Sequence, residues 1–143
     1  MIIPDINLLL YAHNPHAPQH AKAVKWWQQA MNGQELVGLP PEVIFGFLRI
    51  STHPRLGPAA VAFTAAERLV RQWLDRPQVR VLQSPADQVD RVMKLMIALK
   101  GQGALVSDAV LAAYAMGMRA TLCSNDTDFA RFPARDWHNL LAE

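Results

Sequence analysis

Short apolar runs and longer amphipathic stretches alternate along this chain. Ile2-Ile3 is stopped by Pro4-Asp5 and predicts a first strand, and Asn7 to Tyr11 then predicts a short helix that Asp5 or Asn7 could cap. Two prolines and an asparagine make His13 to Pro18 a loop. A helix is expected from about Gln19 to Met31, ended by Asn32-Gly33, and a strand over Leu36 to Leu39. Pro40-Pro41-Glu42 opens a helix reaching about Ser51, with proline suited to its first turn.

In the second half, His53 to Pro58 reads as a loop and Ala59 to Leu74 as a helix with Ala62, Ala66, Leu69, Val70 and Trp73 on one face. Val79 to Leu82 alternates like a strand. Ala86 to Lys100 has the clearest amphipathic pattern, with Val89, Val92, Met93, Met96 and Leu99 expected to face the core, and Gly101-Gln102-Gly103 to end the helix. Ser107 is expected to cap a helix from Asp108 to about Gly117. Ala120 to Cys123 reads as a strand, Asn125 to Phe129 as a turn or short helix, and Trp137 to Leu141 as a last strand. Strands and helices in alternation imply an α/β fold, a central parallel sheet with helices on both faces. No repeat or linker interrupts the pattern, so residues 1–143 are expected to form one domain.

Composition narrows the class. Of 143 residues, 51% are hydrophobic and 18% charged, a globular balance. The lone cysteine, Cys123, excludes an intrachain disulfide and fits a reducing compartment. The N-terminus lacks a basic n-region, and no apolar stretch approaches a membrane span, so a soluble cytoplasmic protein is expected.

The acids carry the candidate chemistry. In open parallel sheets, ligands bind beyond the carboxyl ends of the strands. Asp5, Glu42, Asp108 and Asp126 fall at or near such ends, with Asp128 two residues on. Singly, each is accounted for as a helix-start residue stabilised by the helix dipole. Together they would converge on one edge and repel, a penalty that a divalent cation removes. Carboxylate and water oxygens suit Mg²⁺ or Mn²⁺. Such a cluster serves phosphodiester hydrolysis, which needs no nucleophilic side chain. With these four of the 12 acids neutralised, 8 remain against 14 cations, a surplus of 6, and ten of the cations are arginine. Arg49 and Arg55, flanking the loop after the Glu42 helix, are candidate RNA contacts, with solvated surface as the alternative.

Asp5-Ile-Asn-Leu-Leu-Leu-Tyr-Ala, Glu42 at its helix start, Val106-Ser-Asp-Ala-Val-Leu-Ala-Ala-Tyr-Ala and Leu122-Cys-Ser-Asn-Asp-Thr-Asp-Phe together resemble the PIN-domain nucleases, above all the VapC-type toxins of bacterial toxin–antitoxin pairs. The resemblance runs in order over almost the whole chain. It implies a three-layer α/β/α sandwich, dependence on Mg²⁺ or Mn²⁺, endonuclease cleavage of structured RNA, a homodimer and inhibition by a cognate antitoxin. Asp5, Glu42, Asp108 and Asp126 match the family's acidic quartet, Asp128 a frequent fifth acid, and Asn7 and Ser124 polar positions that hold the carboxylates. In that reading Asp5 bridges or binds the main metal, Asp108 and Asp126 complete its shell directly or through water, Glu42 takes a second metal or orients water, and Asp128 supports from behind. Where many members carry Thr or Ser, this chain has Asn7, which can still donate to a carboxylate.

Two rivals remain at this level. A phosphatase-like or receiver-like phosphotransfer domain would want Asp-x-Asp at the first strand or a lysine after a late one. Asn7 breaks the first pattern, and no lysine follows Cys123. The other rival is an RNA-binding module that keeps the fold without catalysis. Elsewhere, His13, His16 and His20 could bind zinc but are expected in a surface loop. Of Trp26 and Trp27, at least one should pack in the core. Cys123 is expected to be a small core residue.

Overall fold

The computed structural model describes residues 1–132 and 137–139. Among these residues, five strands form one sheet in the order β3-β2-β1-β4-β5, and every pair is parallel. They are β1 (Ile2–Pro4), β2 (Val37–Leu39), β3 (Val79–Val81), β4 (Thr121–Cys123) and β5 (Trp137–His138). The first strand of the chain is central, flanked by β2 and β4. Ile3, Val37, Leu39 and Leu122 are fully buried, as a parallel sheet covered on both faces requires.

Among the described residues, six helices cover the sheet: α1 (Ile6–His13), α2 (His20–Asn32), α3 (Pro41–Ser51), α4 (Phe63–Leu74), α5 (Gln88–Leu99) and α6 (Leu105–Met118). Helix α1 packs on α2 and α3, α3 on α4, and α5 on α6. The result is the expected α/β/α sandwich, but strict alternation fails. Helices come in pairs between strands, α1 with α2, α3 with α4 and α5 with α6. Gly46 lets α3 approach α1 closely, since a Cβ there would run into Ile6 Cδ1.

Several local expectations are corrected. The segment before α4 forms a 3₁₀ turn, Pro54–Ala59, and α4 begins at Phe63 rather than Ala59, because Ala60 and Ala62 are extended. The last turn of α5 is closed not by the glycines but by Lys100, in the left-handed conformation at φ 51°. Gly101 instead permits close packing, since a Cβ there would meet Leu105 Cδ2 at 2.5 Å. Ser107 does not cap α6. The helix starts at Leu105, and Ser107 is its third residue. The last strand covers Trp137–His138, and the rest of its expected span, residues 140 and 141, lies outside the described residues.

Helix α5 is rotated from its expected face. Leu95 and Gln88 are buried and Val92, Met96 and Leu99 pack against the core, whereas Val89 and Met93 are exposed along with Ile97. The apolar arc is wider than the surface α6 offers, so one flank of it faces solvent.

The opposite helical group holds an aromatic cluster. Trp73 meets Phe47 with ring centroids 4.7 Å apart and Trp27 at 5.4 Å. The His13 ring joins them, 5.3 Å from Trp73, with Nδ1 2.8 Å from Leu9 O. His13 therefore ends α1 and packs inward rather than lying in a surface loop. Burial holds its ring below the usual histidine pKa. His20 Nδ1 lies 2.8 Å from Tyr11 O. Both imidazoles thus serve local backbone contacts. Trp27 is buried and Trp26 half-buried, in line with the packing expectation. Among the described residues, no helix is long and apolar enough to cross a membrane.

Candidate active site

The site begins at the carboxyl ends of the two central strands. Pro4 pairs with Cys123, and Asp5 N donates to Cys123 O at 2.8 Å, so Asp5 and Ser124 leave the sheet side by side. Ser124 is fully buried and its hydroxyl donates to Asp5 Oδ2 at 2.9 Å. Ser124 Oγ in turn accepts from Asp126 N at 3.0 Å, and Asp126 Oδ1 accepts from Asp128 N at 2.9 Å. Trp137 Nε1 donates to Ser124 O at 3.2 Å, and Ser124 N to His138 O at 3.1 Å. Ser124 is thereby fixed by four bonds, and a tight turn folds Asp128 back beside Asp126.

Asp108 reaches this point from another direction. It does not follow a strand. It is the fourth residue of α6, in the first helical turn. One carboxylate oxygen from each of Asp108, Asp126 and Asp128 lies within 4.8 Å of the others. Opposite oxygens around an octahedral Mg²⁺ are about 4.2 Å apart. The spacing and the all-oxygen donor set therefore fit a small hard cation. Asp128, expected to support from behind, stands in the closest trio. Asp5 stands beside it, near enough to repel both Asp126 and Asp108.

The electrostatics record the crowding. Burial pushes the Asp108 carboxyl up from 3.8 to about 6, helped by Asp126, then Asp5, then Asp128. Asp5, 7% exposed, is raised chiefly by burial and in small part by Asp126, against the Ser124 hydroxyl and the amides of Ile6 and Asn7, which favour its charged form. Asp5 occupies the N-cap position of α1 but makes no capping hydrogen bond of standard geometry.

Glu42 stands in the first turn of α3, after Pro40 and Pro41, and is exposed. Its Oε1 accepts from Tyr114 Oη at 3.1 Å. Asn7 is half-buried in the first turn of α1. Arg49 is exposed in the last turn of α3, and Arg55 is exposed just beyond that helix. Seven residues of helix put Arg49 about 10 Å along the axis from Glu42. Cys123 is buried, and burial pushes its thiol up to about 12, which excludes a thiolate nucleophile at neutral pH. Tyr114 was not foreseen. An aromatic residue in an apolar helix reads as core, and only the fold shows its hydroxyl against Glu42.

Known proteins resemble this chain in sequence and in fold. The PIN domain family model matches residues 2–135. Ribonuclease VapC33 of Mycobacterium tuberculosis is 43% identical over 143 residues, all of both chains. Ribonuclease VapC37 of the same species is 36% identical, covering 96% of this chain and 95% of its own. Among solved structures, VapBC2 of Rickettsia felis, bound to a promoter DNA fragment, aligns with a TM-score of 0.69 at 19% identity, over 97% of this chain and 98% of that one. VapC20 of M. tuberculosis, described as a sarcin-ricin loop cleaving toxin, aligns at 0.68 and 18% identity, over 91% and 93%. This chain is a PIN-domain protein, and within that family it belongs to the VapC ribonucleases.

Proposed function

We propose that this chain is a metal-dependent endoribonuclease and the toxin of a toxin–antitoxin pair. The observation that carries the reading is the acidic trio beside Asp5. Three carboxylates are held within 4.8 Å, one of them with a pKa raised to about 6. A fold keeps such repulsion only where something relieves it. A bound Mg²⁺ or Mn²⁺ would neutralise the carboxylates, activate a water and stabilise the leaving oxygen of the phosphodiester.

The protein's own part is placement. Asp108, Asp126 and Asp128 supply oxygens to one point. Ser124 holds Asp5 toward them, and Asn7 lies on the same first turn of α1. Glu42 would orient water or hold a second ion. Arg49 and Arg55 would reach RNA phosphates away from the scissile bond, as weak, sequence-independent contacts. Family membership disfavours the phosphotransfer alternative, and the intact acids disfavour the inactive binding module.

The partner would be a cognate antitoxin, whose arginine could pair with the carboxylates in place of metal. The active form would be a homodimer. The lone buried cysteine suits a cytoplasmic setting.

Purified protein incubated with structured RNA should cleave it with Mg²⁺ or Mn²⁺ and stop in EDTA. Cleavage undiminished by EDTA would refute the metal-dependent reading. Expression alone should arrest growth and co-expression with the antitoxin should relieve it. Normal growth at high folded expression would remove the toxin role.

A further inference from the structure

Tyr114 is 1% exposed, on the face of α6 that packs into the core, yet its hydroxyl meets an exposed carboxylate. Tyr114 Oη donates to Glu42 Oε1 at 3.1 Å, and the Ser84 hydroxyl, just after β3, is placed to donate to the Tyr114 oxygen. The chain Ser84 to Tyr114 to Glu42 thus runs from the edge of the sheet, through the core, to α3. Glu42 needs such a hold. It has three side-chain torsions, an exposed position, and no place in the group formed by Asp108, Asp126 and Asp128. Left alone it would sample several rotamers.

We infer that Tyr114 is the positioning residue of Glu42, locking its carboxylate to α6, the helix whose first turn carries Asp108. This rests on the role given to Glu42 above. Tyr114 stands six residues beyond Asp108, so the helix sets their separation along its axis at about 9 Å. The bond across to Glu42 carries that spacing to α3. Two acids on different elements are thereby registered through one helix. Tyr114 touches neither metal nor RNA; it acts through Glu42 alone.

The test is a double-mutant cycle in the full chain with Tyr114→Phe, Glu42→Gln and the pair. The readouts are cleavage rate against Mn²⁺ concentration, KM for a structured RNA, and melting temperature. Tyr114→Phe keeps the ring and removes only the hydroxyl. It should lower kcat by roughly tenfold, the loss of one hydrogen bond to a charged acceptor, and shift half-saturation by Mn²⁺ to higher concentration. KM for RNA should stay within about twofold. On the Glu42→Gln background, Tyr114→Phe should cost nothing further. Ser84→Ala, at an exposed position, should show the same pattern more weakly, and it probes the chain without touching the core. Equal losses on both backgrounds, tracking a fallen melting temperature, would reduce Tyr114 to a packing residue. A Glu42→Gln enzyme as active as wild type would overturn the role of Glu42. An impaired Glu42→Gln beside unimpaired Tyr114→Phe and Ser84→Ala would overturn the positioning inference alone.

Discussion

Two regions of this molecule are built on opposite terms. The rings of Phe47, Trp27 and His13 each pack within 5.4 Å of Trp73, and each contact lowers the energy of the fold. Around Asp126, three further carboxylates crowd together and raise it. Residues that stabilise a protein and residues that make it work are often discussed as if they were one set. Here they separate in space, with the aromatic cluster among α1 to α4 and the acids where β1, β4 and α6 meet. Truncation in the first region should cost stability and spare chemistry per folded molecule. Neutralisation in the second should do the reverse.

The largest expected effect lies in the acidic region. Asp108→Asn and Asp5→Asn should each lower RNA cleavage by orders of magnitude and weaken Mn²⁺ binding, with the fold intact by circular dichroism. Wild-type cleavage by Asp108→Asn would abolish the distinction. The aromatic region comes next. Trp73→Ala should destabilise by about 3–5 kcal/mol in denaturant titration. The activity of the molecules that remain folded should be unchanged, and loss of specific activity without loss of stability would invert the comparison.

A smaller effect tests the bond between strand ends. Ser124→Ala leaves buried Asp5 without its hydroxyl donor and should weaken Mn²⁺ affinity by about 1–3 kcal/mol, as read by calorimetry. The smallest effect concerns pH. Metal-free folded protein holds the Asp108 proton more tightly than the unfolded chain does, since its pKa stands at about 6 against 3.8. Its contribution to stability therefore falls as pH rises from about 4 to about 6 and then levels off. Asp108→Asn should flatten that slope and raise the metal-free melting temperature at pH 7. Mn²⁺ affinity should run the other way, weakening roughly tenfold per unit as pH drops below about 6, because the ion must displace the proton. A pH-independent Mn²⁺ affinity between 4.5 and 6.5 would show that Asp108 is not a ligand.

Strand ends were legible where apolar runs stop abruptly. Ile2-Ile3 before Pro4-Asp5 and Leu122-Cys123 before Ser124 placed two acids correctly, because a buried parallel strand admits little else. Asp108 was placed for the wrong reason. The run Ala104-Leu105-Val106 reads as a strand end but is the start of a helix, and the acid still arrives because α6 points its first turn at the sheet edge. Asp128 could be named but not located, since its closeness to Asp126 depends on a turn held by Ser124. The exposed flank of α5 escapes the sequence pattern because periodicity gives the width of an apolar arc, not how much of it a neighbour covers. Tyr114 was invisible for a related reason. Its ring fits the core pattern, and its hydroxyl acquires meaning only from an element 72 positions away.

The central position of β1 has a consequence for timing. Asp5 is made well before the hydroxyl that holds it, which comes 119 positions later. At synthesis rates of roughly 5–20 residues per second, that is roughly 6–24 s. Until β4 has left the ribosome and slid in beside β1, the sheet has no centre, and Asp126 and Asp128 have nowhere to gather. A chain interrupted before Ser124 would be chemically inert. The newborn protein thus passes among the RNAs that surround its own synthesis before it can cut any of them.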